Sequence, residues 1–429
     1  MAQAPTAGGP PELVEHFFRH ESAHLVAVLT RAFGVRYLDM VEDTVQEALL
    51  AAMETWGRQG VPANPSGWIY RVARNRMLDR LRRGKTYQRV LGLAKQTEDG
   101  IDSLITDWLQ EEHLPDSLLR MIFVCCHPAL DRRSRLAVTL KILCGFSLNE
   151  IARGLLISPE AAKKRVQRAK KTLADQEIQV ELPPPDDLPE RLGAVQEVLY
   201  LLFNEGYSAT EGAEPLRDDI CEEAARLCHL LAKHESFGTP ETRALLALML
   251  AHSARLEART DTAGGVVLLA EQDRSRWDRR LIAHAESWLA RSKTANPGRF
   301  HYEAAISLVH CHAASASETD WPLIVQYYDR LLAIHDSPLY RLNRAIARAE
   351  AGEIDRARTE LQELRQQRQM RGYYLLDCAL GRLHELDSNP EAAIGAYKAA
   401  LAATRAVHEQ ALLGEKLRRL KAISVLPTR

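Results

Sequence analysis

Residues 147–173 read SLNEIARGLLISPEAAKKRVQRAKKTL and carry two signals for the start of a helix. Ser147 and Glu150 have the spacing of a capping box, in which each side chain accepts a hydrogen bond from the backbone amide of the other residue. Ser158 precedes Pro159, and a capping serine followed by proline is typical of the first turn of a helix. The segment therefore predicts two helices joined by a tight turn, a helix–turn–helix.

The second of these helices has an apolar side and a cationic remainder. Its apolar residues recur at helical spacing and are expected to face the core: Ala162, Val166, Ala169 and Leu173. Its cationic residues occupy the other sides: Lys163, Lys164, Arg165, Arg168, Lys170 and Lys171. A major groove admits one helix, and cationic side chains attract phosphates and donate hydrogen bonds to base edges. The pattern predicts binding to duplex DNA, against the alternative of a basic helix that is only solvated.

A second basic segment lies at residues 65–83, PSGWIYRVARNRMLDRLRR. Its apolar stripe is expected to face the core: Ile69, Val72, Ala73 and Met77. Trp68 and Tyr70 stand among polar residues, which are Arg71, Arg74, Asn75, Arg80 and Arg82. Because unpaired bases stack on aromatic rings while cations follow the sugar–phosphate backbone, this mixture indicates single-stranded DNA binding. The alternative is that the rings only pack against neighbouring helices.

An acidic helix is predicted upstream, at residues 38–56, LDMVEDTVQEALLAAMETW. Asp39 and Glu42 have the spacing of a capping pair. The predicted buried stripe is Val45, Ala48, Leu49, Ala52 and Trp56. The predicted outer face is Glu42, Asp43, Gln46, Glu47 and Glu54. Since an acidic face repels DNA, it is available to a protein partner; the alternative is a solvated face.

The net charge of −1 conceals an uneven distribution along the chain. Residues 1–175 contain 25 Lys and Arg against 20 Asp and Glu, and the remainder contains 31 against 37. Residues 68–89 alone contain eight basic side chains and one acidic side chain. Local clustering of cations, more than the total charge, decides whether a surface attracts phosphates.

In order and spacing, these three segments resemble the extracytoplasmic-function (group IV) sigma factors of bacterial RNA polymerase, over about residues 11–175. The stretch VEDTVQEALLAAMETW is similar to the part of region two that docks on the clamp helices of the beta-prime subunit. The resemblance implies core-polymerase binding by Glu42, Asp43, Gln46, Glu47 and Leu50. The resemblance also implies contact with the beta flap.

The resemblance assigns promoter recognition to the two basic helices. NPSGWIYRVARNRMLDRLRR is similar to the part of region two that opens and reads the minus-ten element, which implies roles for Trp68, Arg71, Arg74, Asn75, Arg80 and Arg82. The helix–turn–helix resembles the part of region four that reads the minus-thirty-five element, which implies roles for Ser158, Glu160, Ala161, Lys164, Arg165, Arg168 and Lys171. Ala161-Ala162 departs from the Thr-Val that the family often has there, so the contacts of that first turn differ.

The rest of the chain also reads as helix, and the predicted fold class is all-α. Two late segments, which start at Leu342 and Leu375, superimpose at an offset of 34 residues, with Ala345 on Ala379 and a small insertion near Asn389-Pro390. That period and those small residues indicate stacked helical hairpins of the TPR kind. The alternative is a helical bundle without repeats.

Five segments are predicted. They are a sigma-two domain at 10–92, a linker at 93–115, a sigma-four domain at 116–176, a Pro-rich linker at 177–189 and a TPR-like extension at 190–429. The extension resembles that of one sigma-factor subgroup, through VLYLLFNEGYSA at 198–209, LLAEQDRSRWDR at 268–279 and DWPLIVQYYDRLLAIHDSPLYRLNRAIA at 320–347. The resemblance implies a regulatory extension, whose partner is either this chain itself or another protein.

Other classes of protein fit the sequence less well. The N-terminal stretch has neither the basic start nor the following apolar run of a secretory signal. No later apolar run has the length of a membrane span, so a cytoplasmic protein without a membrane partner is predicted. The seven cysteines lack C-x-x-C spacing and are predicted to be reduced.

No catalytic constellation is evident, so neither an enzyme nor a cofactor or metal site is predicted. The segment from His20 to His24 fits H-E-x-x-H, the pattern of a zinc peptidase, but no third ligand is indicated. Zinc at Cys125-Cys126-His127 or His310-Cys311-His312 is disfavoured because adjacent helical residues point in different directions. A free-standing helix–turn–helix regulator is the alternative to a sigma factor.

Overall fold

Helices make up the regular secondary structure of the residues that the structure describes. The computed structural model describes residues 11–83, 114–155, 157–207, 217–261, 267–404 and 407–424. The chain divides into two compact units, residues 1–202 and 203–429. The all-α prediction is confirmed. Among the described helices, none combines the length and the hydropathy that a membrane-spanning segment needs.

The first unit contains two groups of helices. They are α1 (Pro11–Phe33), α2 (Leu38–Gln59), α3 (Pro65–Arg83), then α4 (Leu114–Cys125), α5 (Arg132–Ile142), α6 (Leu148–Gly154), α7 (Pro159–Asp175) and α8 (Leu188–Tyr207). A short 3₁₀ turn at Val35–Tyr37 joins α1 to α2. The predicted start of the extension at residue 190 and the boundary between the compact units both lie within α8.

In the first group, α2 packs against both α1 and α3. Val45 and Ala48 on α2, and Ile69 and Met77 on α3, are fully buried, as their helical spacing predicts. Leu49, Val72 and Trp56, which were expected to face the core as well, are half-buried. The apolar stripes therefore set how these three helices pack.

In the second group, α7 packs against α5 and α6. Asp131 caps α5, since its side chain accepts a hydrogen bond from the backbone N–H of Ser134 at 3.0 Å. Arg191 on α8 donates a hydrogen bond to the backbone oxygen of Phe123 on α4 at 2.8 Å. The start of α8 thus contributes to the first unit.

The second unit is a succession of helices joined by short turns. They are α9 (Asp218–Lys233), α10 (Pro240–Ser253), α11 (Arg279–Arg291), α12 (Arg299–His312), α13 (Trp321–Ile334), α14 (Pro338–Glu350), α15 (Ile354–Gln366), α16 (Tyr374–Leu386), α17 (Pro390–Ala403) and α18 (Val407–Ser424). Short 3₁₀ turns lie at Leu256–Ala258, Arg274–Arg276, Ala316–Glu318 and Arg368–Met370.

The internal repeat corresponds to two helical hairpins, α14–α15 and α16–α17, each of which packs tightly. Ala345 and Ala379 occupy equivalent buried positions on their first helices, which agrees with the repeat seen in the sequence. Small residues at these positions let paired helices approach closely. The extension is therefore consistent with a TPR-like solenoid.

Gly381 lies where α16 and α17 touch, and its replacement by Ala is expected to destabilise the repeat. A Cβ at this position would lie 2.7 Å from the Cε1 and Cζ atoms of Tyr397, which is 2% exposed and has no room to move. Overpacking of this kind costs about 1–3 kcal/mol of unfolding free energy. Urea unfolding of the full chain measures this loss.

The matched control is Gly395→Ala on α17, where an added Cβ meets no atom within 4 Å. There the higher helix propensity of Ala should raise the unfolding free energy by about 0.5–1 kcal/mol. Equal effects of the two substitutions would contradict the close approach of the helices at Gly381.

Candidate nucleic-acid and protein interfaces

The helix–turn–helix forms as its two capping signals predict. The Ser147 hydroxyl accepts a hydrogen bond from the backbone N–H of Glu150 at 3.2 Å, and the Glu150 carboxylate accepts one from the backbone N–H of Ser147 at 2.7 Å. The Ser158 hydroxyl accepts a hydrogen bond from the backbone N–H of Ala161 at 3.1 Å. These local bonds fix where α6 and α7 begin.

The core-facing residues predicted on α7 are all buried: Ala162, Val166, Ala169 and Leu173. Lys163, Lys164, Arg168 and Lys171 are exposed, and Arg165 is half-buried. Among the described residues, no carboxylate forms an ion pair with any of these five cations. Their charges are therefore available to attract an anionic polymer.

The N-terminus of α7 has a different character. Ser158 and Glu160 are exposed and Ala161 is half-buried. Ser158 is committed to capping, and Glu160 is the acidic residue of the first turn, where it interacts favourably with the helix dipole. Cations thus become frequent only from Lys163 onwards.

Lys170 does not belong to the outer face of α7, and its prediction there is wrong. The side chain is 12% exposed, and its Nζ forms ion pairs with Glu42 and with Asp39, the latter at 2.7 Å. Burial acts to lower the pKa of Lys170, but attraction by Glu42 and Asp39 outweighs it and raises the pKa. Lys170 is therefore charged and engaged with α2.

The expectation that Glu42 lies on the exposed face of α2 is also wrong. Glu42 is 7% exposed. Burial raises the pKa of its carboxyl group, and the positive charge of Lys170 opposes that rise. The proposed capping pair is not formed either, since α2 begins at Leu38 after Tyr37, without a side-chain cap.

Further contacts join the two groups of helices in the first unit. Arg31 on α1 pairs with Asp116 on α4 at 3.0 Å, and Arg120 also pairs with Asp116, at 2.9 Å. Arg36 pairs with Glu177, which follows α7. Together with Lys170, these pairs place the basic helix α7 beside the start of α2.

The outer face of α2 combines polar and apolar groups. Asp43 and Gln46 are exposed, Glu47 is half-buried, and Leu50 is 60% exposed. Met53, which sequence reasoning missed, is 59% exposed and lies three residues after Leu50, on the same face. Exposed apolar residues within an acidic face are typical of a surface that meets a protein partner.

The predicted single-strand face of α3 is only partly open. Arg71, Asn75 and Arg82 are exposed, and Arg74 is half-buried. The Trp68 ring packs edge-on against Trp56, with centroids 5.7 Å apart, and is half-buried. Tyr70 is 3% exposed, so its proposed role among the stacking rings is wrong.

Arg80 links the proposed DNA-binding helix to the proposed polymerase-binding helix. Its guanidinium pairs with Glu47 at 2.5 Å and with Asp43 at 3.8 Å. Arg76 also pairs with Glu47, at 3.2 Å. Arg80 would have to leave these carboxylates before it could contact a phosphate.

The segment that fits H-E-x-x-H lies on α1. Burial raises the pKa of Glu21, and a hydrogen bond with Ser66 opposes that rise. The side chain of His20 lies outside the described residues. Within the described ranges, no group of three or more His, Cys, Asp or Glu side chains could hold a metal ion.

Comparisons with protein families match three parts of the chain. Sigma-70 region 2 matches residues 17–86, and Sigma-70, region 4 matches residues 120–173. A family of unknown function (DUF6596) matches residues 191–293. The first two matches cover α2, α3 and the helix–turn–helix.

Individual proteins are similar over different lengths. The uncharacterized protein R00370 of Rhizobium meliloti is 38% identical over 331 residues, 75% of this chain and 78% of that protein. The ECF RNA polymerase sigma factor SigF of Caulobacter vibrioides is 32% identical over 162 residues, 36% of this chain and 83% of that protein. The ECF RNA polymerase sigma factor SigM of Mycobacterium tuberculosis is 28% identical over 160 residues, 36% of this chain and 71% of that protein.

No solved structure matches the chain. Sigma-70 region 2 precedes region 4 along the chain, as α2 and α3 precede the helix–turn–helix. SigF is matched over most of its length. The chain belongs to the extracytoplasmic-function sigma factors of RNA polymerase.

Proposed function

We propose that this sigma factor binds core RNA polymerase, reads the minus-ten and minus-thirty-five elements, and helps to open the upstream edge of the bubble. The main support is α7, a capped helix whose five outward cations have no acidic partner among the described residues. The polymerase, not this chain, would catalyse RNA synthesis. Run-off transcription by core enzyme, with and without the purified chain, tests the proposal.

A chain that binds DNA but fails to bind sigma-free polymerase would instead be a free-standing regulator. The matched control for run-off transcription and for the measurement of binding to sigma-free polymerase is a chain with Arg168→Glu. This variant should still bind core polymerase, because Arg168 does not lie on α2, the proposed docking helix. It should lose promoter-dependent transcription, because Arg168 lies on α7, the proposed DNA-binding helix.

For the minus-thirty-five element we propose that the cations of α7 enter or flank the major groove; they are Lys164, Arg165, Arg168 and Lys171. The N-terminus of the helix would lie against the same DNA, with Ser158, Glu160 and Ala161. The cations cover successive turns of α7 and are exposed or half-buried. Cations at such positions can pair with phosphates on both sides of a groove or donate to base edges.

For the minus-ten element we propose contacts by Trp68, Arg71, Arg74, Asn75 and Arg82, with Arg80 released from Glu47. Arg71, Asn75 and Arg82 are exposed. Trp68 is held edge-on by Trp56, which leaves part of its ring available for a base to stack on. The Arg80 ion pairs would give way when polymerase engages Asp43 and Glu47.

For core polymerase we propose the outer face of α2, with Asp43, Gln46, Glu47, Leu50 and Met53, against the clamp helices of the beta-prime subunit. The beta flap is proposed as the partner of the sigma-four helices. Glu42 is excluded from the docking face in this arrangement because Lys170 covers it.

Leu50→Arg is expected to weaken binding to core polymerase about tenfold or more. The change removes an exposed apolar contact and places a cation in an acidic docking face, at a cost of about 1.4 kcal/mol or more. Because Leu50 is 60% exposed, the fold should be unaffected. Gln59→Arg, at the exposed end of the same helix, adds the same charge and serves as the control in a fluorescence titration. Equal affinities of the two variants would contradict the proposed face.

For the extension we propose a regulatory role through an intramolecular or protein partner. A chain that ends after Tyr207 keeps the hydrogen bond between Arg191 and Phe123, which a cut at residue 190 would remove. We expect this truncated chain to differ severalfold from the full chain in promoter-dependent transcription. Identical transcript yields from the two proteins would count against a regulatory extension.

A further inference from the structure

A cluster of cationic and aromatic side chains lies in the second unit, where α8, α10 and α12 end. We call it the cation cluster; its members are Tyr207, His252, Arg255, Arg259, Arg274, Trp277 and His310. Arg255 is 5% exposed and Arg274 is 8% exposed. Guanidinium groups buried to this degree normally have a carboxylate or another acceptor beside them.

Arg274 has such acceptors. It donates hydrogen bonds to the backbone oxygens of His310 at 2.7 Å and Ala313 at 2.6 Å. These oxygens lie at the C-terminal end of α12, where the helix dipole is negative. The face of the Trp277 ring lies 4.6 Å from the Arg274 guanidinium. Arg274 is therefore a structural cap for α12.

Arg255 and Arg259 have no equivalent acceptors. Arg255 donates to the Nδ1 of His252 at 2.9 Å, and its buried Nε makes no hydrogen bond. The Arg259 guanidinium lies 3.7 Å above the Tyr207 ring. In the part of the chain that the structure describes, neither arginine forms an ion pair with a carboxylate. Among the described residues, neither positive charge is therefore paired directly with a carboxylate.

Asp218 is the carboxylate that interacts electrostatically with Arg259. Burial and the neighbouring Asp219 raise the pKa of Asp218, and Arg259 opposes that rise. Asp218 does not form an ion pair with Arg259, and Asp219 pairs with Arg217 instead. Asp218 reduces the excess positive charge at Arg259, and no carboxylate of the described residues pairs with Arg255.

His252 adds a hydrogen-bond donor to the cluster. Burial lowers its pKa well below the usual range, and repulsion by Arg255 and Arg259 lowers it further, so the imidazole is neutral near pH 7. Since Nδ1 accepts from Arg255, the proton of the neutral ring is on Nε2, which can donate. The Tyr207 ring meets the His252 ring edge-on at 4.7 Å.

We infer that the cation cluster binds a small organic molecule through a carboxylate or phosphate group held by Arg255, Arg259 and the Nε2 of His252. Oxyanions suit these donors because guanidinium groups present several N–H bonds in one plane. The half-buried Tyr207 ring provides apolar surface beside these donors. The burial of Arg255 favours a small ligand over a protein surface.

The test is a calorimetric titration of the full chain with inorganic phosphate and, separately, with succinate, each against sodium chloride at the same ionic strength. We expect saturable binding of one anion per chain. The two arms distinguish a phosphate from a carboxylate ligand. The measurement needs neither polymerase nor DNA, so its outcome is independent of the sigma-factor proposal.

Arg259→Gln is expected to weaken this binding about tenfold or more, since one charge-assisted partner is lost. Arg259 is half-buried and lies outside the long helices, so the replacement should leave the fold intact, which circular dichroism checks. The matched control, Arg280→Gln, removes an exposed charge from α11 and should bind as the unmodified chain does.

Two results would overturn the inference. One is the absence of saturable binding of either anion, as expected if a carboxylate of this chain already occupies the cluster. The other is an equal loss of affinity in Arg280→Gln and Arg259→Gln, which would indicate general attraction of anions to the protein.

Discussion

Arg168→Glu is expected to lower the affinity for promoter DNA by about a hundredfold or more. Arg168 is exposed on α7 and has no ion-pair partner among the described residues, so its full charge faces the solvent. Loss of one cationic contact costs about 1–3 kcal/mol, and a carboxylate at the same place adds repulsion from phosphates. Together these effects amount to about 3 kcal/mol, which corresponds to a factor of about a hundred.

The measurement is a titration of a promoter duplex with the polymerase complex at several salt concentrations. Arg58→Glu makes the same change in net charge at an exposed position near the end of α2 and is the matched control. The slope of log affinity against log salt should decrease by about one for Arg168→Glu. If Arg58→Glu weakens binding as much, the effect is one of net charge and not of α7.

Arg168 also has a small structural role that the experiment must separate from DNA binding. The pKa of Asp131, the cap of α5, is held below its usual range mainly by hydrogen bonds from Ser134 and in part by Arg168. Charge reversal therefore places a second carboxylate near Asp131. Circular dichroism should show full helicity, because the hydrogen bonds that cap α5 do not involve Arg168.

Local signals in the sequence were sufficient to predict the helix–turn–helix. Ser147, Glu150 and Ser158 act on backbone amides within three residues, so their effect does not depend on distant parts of the chain. The same holds for the apolar stripe of α7, since helical geometry alone places those four residues on one side. The repeat in the second unit was visible because both hairpins use the same small residues at equivalent positions.

Contacts between distant segments could not be predicted in this way. Glu42 and Lys170 are separated by most of the first unit in sequence, and the pattern of each helix alone places each residue on an outer face. Tyr70 looked like a stacking ring for the same reason. His252, Arg255 and Arg259 are close in sequence, but Tyr207 contacts them only because the ends of α8 and α10 meet. A single helical pattern shows which side is polar, but not which polar side another helix will cover.

Lys170→Met is expected to destabilise the packing of α7 against α2 by about 3 kcal/mol. The substitution leaves Glu42, which is 7% exposed, without its cation. Removal of one partner from a buried ion pair typically costs 3–5 kcal/mol, because the remaining charge is still desolvated. Asp39 is largely exposed and loses little.

Hydrogen exchange of the amides in α2 and α7, measured on the full chain, reports the free energy of local opening. Lys171→Met, at the exposed neighbouring position, is the matched control and should change protection little. The double variant Glu42→Leu with Lys170→Met removes both charges, and its stability should be close to that of the unmodified chain. Such recovery would show that the unpaired carboxylate, and not the loss of the lysine stem, causes the destabilisation.

The pH dependence provides a further check on the same pair. In Lys170→Met the pKa of Glu42 should rise further, because burial already raises it and Lys170, the larger of the two opposing charges, is gone while Lys141 remains. An acid whose pKa is higher in the folded state than in the unfolded state favours folding when it is protonated. The loss caused by Lys170→Met should therefore be largest at pH values above the folded-state pKa of Glu42 and should shrink as the pH falls through it. A loss that is independent of pH would mean that Glu42 is not the group left unpaired, and that the lost packing of the Lys170 side chain causes the destabilisation.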